Sequence, residues 1–75
     1  MHLKLNNNKL RSLPETFENL IGLNELDVRD NELITLPGTL DCFEDMFELL
    51  LSGNQFGELP DNIEHWITKI SKIDR

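Results

Sequence analysis

The chain has 75 residues, enough for one small domain, and an ordinary core of that size is marginal because so much of it is surface. Fourteen acidic residues against seven basic ones give a formal charge of −7, which opposes docking to nucleic-acid phosphates or to anionic lipid surfaces. No apolar run approaches membrane-spanning length, the first ten residues lack the basic start and apolar centre of a signal peptide, and Cys42 stands alone, so no disulfide framework can form within these residues. These features point to a reducing, cytoplasmic setting, with neither nucleic acid nor membrane as the partner.

Three copies of one pattern run along the chain. Asn8, Asn31 and Asn54 are spaced 23 residues apart, and so are Pro14, Pro37 and Pro60. In the same phase fall columns of apolar residues: Leu3, Leu26 and Leu49; Leu5, Val28 and Leu51; Leu10, Leu33 and Phe56; Leu13, Leu36 and Leu59. After each proline the columns continue as Phe17, Leu40 and Ile63, then Leu20, Phe43 and Trp66, with Leu23 and Met46 opening the next unit. The unit reads LxxLxLxxNxLxxLPxx[FLI]xx[LFW], with copies over approximately residues 1–22, 23–45 and 46–68.

This pattern resembles the leucine-rich repeat family, and the resemblance spans nearly the whole chain. The Leu-Pro pair followed by an apolar residue three positions on resembles the intracellular subclass of Ras-group and Roco-like proteins. The resemblance implies an α/β fold, a leucine-rich repeat solenoid shaped as a short horseshoe. Its concave side would carry a three-stranded parallel sheet and its convex side short helical or 3-10 segments, with an amphipathic helix capping the C-terminal end. It also implies that Asn8, Asn31 and Asn54 form a structural ladder, each amide bonding backbone groups inside its turn. Stability in such an array is a sum over neighbouring coils, and three coils are near the minimum.

In chain order, Leu3 to Leu5 form the first strand, with Leu3 and Leu5 inward and Lys4 outward by alternation. Its open edge is to be covered by further repeats of a longer array or by a second copy, a homo-oligomer through the N-terminal strand. Ser12 and Glu15 are spaced as a capping box around Pro14, and Phe17, Leu20 and Leu23 recur at the spacing of a 3-10 or α turn. The second strand, Glu25 to Val28, turns Leu26 and Val28 inward. Pro37-Gly38 opens the second helical segment, in which Cys42 is a small, partly buried apolar residue. The third strand, Glu48 to Leu51, differs from the second in showing Phe47 and Leu50 where the second shows Asn24 and Asp27. After Pro60, Asp61 and Glu64 are spaced as an N-cap and its third residue, and Ile63, Trp66, Ile67, Ile70 and Ile73 form an amphipathic stripe. A helix from Asp61 to roughly Ile73 is expected, with no fourth strand, because a fourth 23-residue copy would place Lys69, Lys72 and Asp74 at apolar positions.

A search for chemistry finds no enzyme. The two histidines, His2 and His65, fall at opposite ends, neither has a cysteine at metal-binding spacing, and no phosphate-binding glycine loop or nucleophile motif occurs. No catalytic residue, metal or cofactor is expected, and Asp41, Glu44 and Asp45 lack the ligand spacing of a calcium loop. The expected function is a non-enzymatic module that binds a protein partner on its concave face. That face would consist of His2, Lys4 and Asn6 on the first strand, Glu25, Asp27 and Arg29 on the second, and Phe47, Glu48, Leu50 and Ser52 on the third. Phe47 and Leu50 would be the apolar anchors and the charged residues the rim. The alternative is a structural role, as the terminal segment of a longer array or an accessory domain of a larger signalling or effector protein.

Overall fold

A computed structural model describes all residues, Met1 to Arg75. Four short parallel strands lie side by side in chain order: β1 (His2–Lys4), β2 (Glu25–Asp27), β3 (Glu48–Leu50) and β4 (Lys72–Asp74). The register aligns Leu3 with Leu26, Leu26 with Leu49 and Leu49 with Ile73. In β1 to β3 the middle residue of each strand turns toward the core and its two neighbours face away from it, whereas in β4 the middle residue, Ile73, stays 37% exposed.

Between strands the chain crosses to the other side of the core. The crossings carry 3-10 turns at Glu15–Asn19 and Gly38–Cys42 and a helix, α1 (Asp61–Ile67), each starting directly after one of the three prolines. Proline fits there because its fixed φ leads into a helical turn whose first N–H groups have no intrahelical partner. None of the three starts has a side-chain cap, so Ser12 with Glu15 and Asp61 with Glu64 do not act as capping pairs. The two 3-10 turns pack on each other, and α1 packs on Gly38–Cys42, occupying in its coil the place the 3-10 turns hold in theirs.

The core is one cluster of 17 buried apolar residues, drawn from the leucine columns of every coil. It is tightest in the second and third coils, where Leu26, Val28, Leu33, Leu36, Leu40, Leu49 and Leu51 are all but inaccessible, while Leu3, Leu5, Leu10 and Leu20 of the first coil are only partly buried.

The last coil departs from expectation in two linked ways. The helix ends at Ile67 and not near Ile73, and the sheet has four strands and not three. Strands one to three repeat at 23 residues, but Leu49 pairs with Ile73, which is 24 positions on. An α-helix rises about 1.5 Å per residue and a 3-10 helix about 2.0 Å, so seven residues of α1 cover about the length of the five residues in the earlier turns. One of the two extra residues is recovered in a shorter return to the sheet. The phase slips by one, Lys72 and Asp74 turn outward, and Ile73 falls in register with Leu49 while remaining 37% exposed. The helix stops where Thr68 donates its hydroxyl to the His65 carbonyl at 2.6 Å and the chain gains ladder bonds, Lys72 N to Phe47 O at 2.8 Å among them.

Candidate functional site

The sheet face turned away from the core gathers the outward residues of four strands into rows, because register places equivalent residues on adjacent strands about 4.8 Å apart. The first row is His2, Glu25, Glu48 and Lys72, and the second is Lys4, Asp27, Leu50 and Asp74. Asn6, Arg29 and Ser52 follow just past the strand ends, where Asn7 N bonds Arg29 O and Asp30 N bonds Ser52 O, both at 3.0 Å.

Polar and charged groups on this face are paired both across neighbouring strands and along one segment. His2 Nδ1 lies 3.1 Å from Glu25 Oε2, and Lys72 Nζ lies 2.9 Å from Glu48 Oε1. Arg29 grips Asp27 through Nε at 2.9 Å and Nη2 at 2.8 Å, and its backbone N–H donates to the same carboxylate at 3.1 Å. Asp27 and Arg29 can meet because residues two apart in an extended chain share a face. Asp27 is only 2% exposed, and the Arg29 hydrogen bond, opposed by burial, holds its carboxyl below the usual carboxylate range. The hydrogen bond that Lys72 donates to Glu48 likewise raises the Lys72 ammonium. Ser52 Oγ donates to Asp74 Oδ2 at 2.6 Å. Carboxylates on the opposite, helical side, such as Glu15, Glu18, Glu44 and Asp45, are exposed to solvent.

The ten residues expected on this surface do not all converge. Nine occupy the rows just described, but Phe47 stands at the entry to β3, level with Met1 and Asn24, and not within a row. Three positions at about 3.3 Å each separate it from Leu50 by roughly 10 Å along the strand, so the two apolar side chains form separate points of contact. Lys72 and Asp74 belong to the face and were missed, because their placement depends on the one-residue phase slip. The row of His2, Glu25 and Glu48, whose ligand atoms lie within 4.8 Å of one another, escaped a search for local metal spacing because its members are 23 residues apart. The repeat period itself was the signal that could have found it.

The asparagines sit behind the strand exits. Asn31 accepts from Leu10 N at 3.1 Å and donates to Leu5 O and Val28 O at 3.0 Å and to Arg29 O at 3.2 Å. Asn54 repeats this one coil on, accepting from Leu33 N at 3.0 Å and donating to Val28 O and Leu51 O at 2.9 Å and, more weakly, to Ser52 O. Asn8 donates to Leu5 O and Asn6 O and is exposed. On the far side a groove of about 350 Å³ separates α1 from the Gly38–Cys42 coil, lined by Asp41, Glu44, His65, Trp66 and Lys69 among others. Trp66 is nearly buried and its Nε1 is engaged by Phe43 O at 3.1 Å, so the groove presents little aromatic surface.

This repeat of strand, asparagine turn and helical crossing is that of an α/β repeat protein, and residues 1–56 match the leucine rich repeat family. The chain belongs to that family. Domains of the family in general mediate protein–protein interaction and are not enzymes. Among characterised proteins the chain is similar to lumican of Rattus norvegicus, with 32% identity over 79 residues; the match takes in 97% of this chain but spans only 23% of lumican's length. No helix is long and apolar enough to cross a membrane.

Proposed function

We propose that this chain is a solenoid segment that binds a protein partner on the concave, outward face of its sheet. The observation that carries this reading is Leu50. It places an apolar side chain in the row between Asp27 and Asp74, on a face where Asp27 is held by Arg29 of its own segment and Asp74 by Ser52 of the neighbouring one. A partner meeting this face finds an apolar point inside a fixed polar rim, the usual anatomy of an interface, and little side-chain ordering remains to oppose binding. His2, Lys4, Asn6, Glu25, Asp27, Arg29, Glu48 and Ser52 form the rim, with Phe47 as a second apolar contact, 45% exposed at the entry to β3. The test is affinity capture from an extract of the source cells, with the chain and its Phe47→Ser/Leu50→Ser variant side by side. Loss of a specifically captured protein with the variant supports the reading; equal capture, with loss instead in a Glu18→Lys/Glu44→Lys variant of the helical side, overturns the choice of face.

A second reading is favoured by the partly buried Leu3, Leu5, Leu10 and Leu20 and by the fraction of lumican that the match spans. In it the chain is a structural segment of a longer array, or an accessory domain of a larger signalling or effector protein, with β1 pairing to a further coil or to a second copy. Concentration-dependent light scattering separates the cases: association abolished by Leu3→Lys marks β1 as a pairing edge, and a monomer at all concentrations removes the second copy. The intracellular Ras-group and Roco-like subclass, and with it a cytoplasmic setting, is our reading of the Leu-Pro pattern and of the lone Cys42.

A further inference from the structure

We propose that the first row of the sheet face is a zinc site, with His2, Glu25 and Glu48 as its protein ligands. The inference goes beyond partner binding and its test needs no partner.

Three neighbouring strands each contribute one ligand-bearing side chain at the same register position, so the backbone holds the three donors in line without any loop. His2 Nδ1, a Glu25 oxygen and a Glu48 oxygen all lie within 4.8 Å of one another. Zinc bonds nitrogen and oxygen at about 2.0–2.1 Å, which in a tetrahedral site sets its ligands about 3.3 Å apart. The 3.1 Å between His2 Nδ1 and Glu25 Oε2 is already close to that spacing, and only Glu48 must swing inward, by a side-chain rotation. The site is also short of positive charge. Glu25 and Glu48 are adjacent carboxylates, with side chains only 27% and 15% exposed, and Lys72 supplies the one permanent cation in the row. A divalent ion between them replaces mutual repulsion by attraction to both.

Donor identity selects the metal class. One imidazole and two carboxylates are all donor types that zinc accepts, and three protein ligands leave the fourth tetrahedral position for water, whereas calcium and magnesium take six or more oxygen ligands. Lys72 holds Glu48 through Oε1 and leaves the other oxygen free, so it competes with the metal for the carboxylate while keeping that side chain beside the row. The α-amine of Met1 is not a fourth ligand, since it is engaged by Gly22 O at 2.7 Å and Asn24 Oδ1 at 3.0 Å.

The experiment is calorimetric titration of the chain with zinc chloride in a non-coordinating buffer, with calcium chloride run in parallel, and NMR of both histidine rings. The expected result is one zinc per chain, no calcium binding of comparable strength, and perturbation of the His2 ring while His65 stays unchanged. His2→Ala and Glu48→Gln should each weaken binding at least tenfold, and Lys72→Met should tighten it several-fold; circular dichroism establishes that each variant folds. An N-terminally acetylated chain should bind as the parent does. The proposal is overturned if the His65 ring responds instead, if His2→Ala binds as the parent, if acetylation abolishes binding, or if Lys72→Met leaves the affinity unchanged or weaker.

Discussion

Replacing Asn31 by alanine deletes four hydrogen bonds, yet it strands a single group. Leu5 O keeps the Asn8 amide, Val28 O keeps Asn54, and Arg29 O keeps the Asn7 N–H, so only Leu10 N loses its partner outright. An unsatisfied, partly buried donor costs about 1–3 kcal/mol. Asn54→Ala strands two groups, Leu33 N and Leu51 O, both on residues with almost no solvent access, so its cost should lie at the upper end of that range or above it. Asn8→Ala strands nothing buried, water can replace its two exposed bonds, and the expected cost is below about 1 kcal/mol. Proteins of this size have roughly 4–11 kcal/mol of total stability at about 0.05–0.15 kcal/mol per residue, so the two larger losses are substantial. At roughly 4–8 °C per kcal/mol they should lower Tm by about 5–20 °C. Because Val28 O is shared by Asn31 and Asn54, the double variant leaves it with neither amide and should lose more than the sum of the singles. Urea unfolding followed by Trp66 fluorescence measures all four. Equal losses at the three positions, or strict additivity of the double variant, would refute the reasoning.

Gly53 has φ +75°, and a Cβ there would collide with Asp30 Oδ1 and meet the Asp30 backbone N at 3.0 Å, so Gly53→Ala should destabilise by more than about 1 kcal/mol in urea titration while Gly57→Ala, with open space around it, should not. The depressed Asp27 carboxyl contributes stability that is complete above the unfolded-state carboxylate value of about 4 and is lost as pH falls through the lower folded value. Asp27→Asn should therefore flatten that acid limb of a Tm against pH curve, and an unchanged limb would count against the Asp27 and Arg29 pairing. Desolvation first, then the charges of Glu18 and Asp41, raises the Cys42 thiol. Iodoacetamide should consequently modify Cys42 more slowly at pH 8 in the folded chain than in urea, and added salt should narrow part of the gap.

Much of this architecture was legible because buried columns must recur wherever coils stack. The 23-residue spacing of Leu3, Leu26 and Leu49 set the strand register, and the asparagine and proline columns set the turn and the start of each crossing. The positive φ values at Asn7, Asp30 and Gly53 fall in that same phase, on three residue types that tolerate the left-handed region. What the sequence concealed were interactions between coils. That Asp27 would be almost buried follows from Arg29 folding back over it, and alternation alone reads both as ordinary outward charges.

The last coil shows why counting residues fails where the crossing changes its helix type. Ile63, Trp66, Ile67, Ile70 and Ile73 do form an apolar series, and the first four are buried, but only the first three belong to α1. A periodicity near 3.6 describes the direction in which side chains must point to reach the core, and a helix, a return turn and a strand can satisfy it in succession. What distinguishes them is backbone pairing: β3 offers a free edge, and residues 72–74 match the polar, apolar, polar pattern of Glu25-Leu26-Asp27. Continuing the helix to Ile73 would leave the outer N–H and C=O groups of β3 unpaired, whereas adding β4 satisfies them and brings Lys72 to Glu48 and Asp74 to Ser52. The sheet face therefore owes its fourth strand, and one end of its charge pairing, to two extra residues of helix on the opposite side of the core.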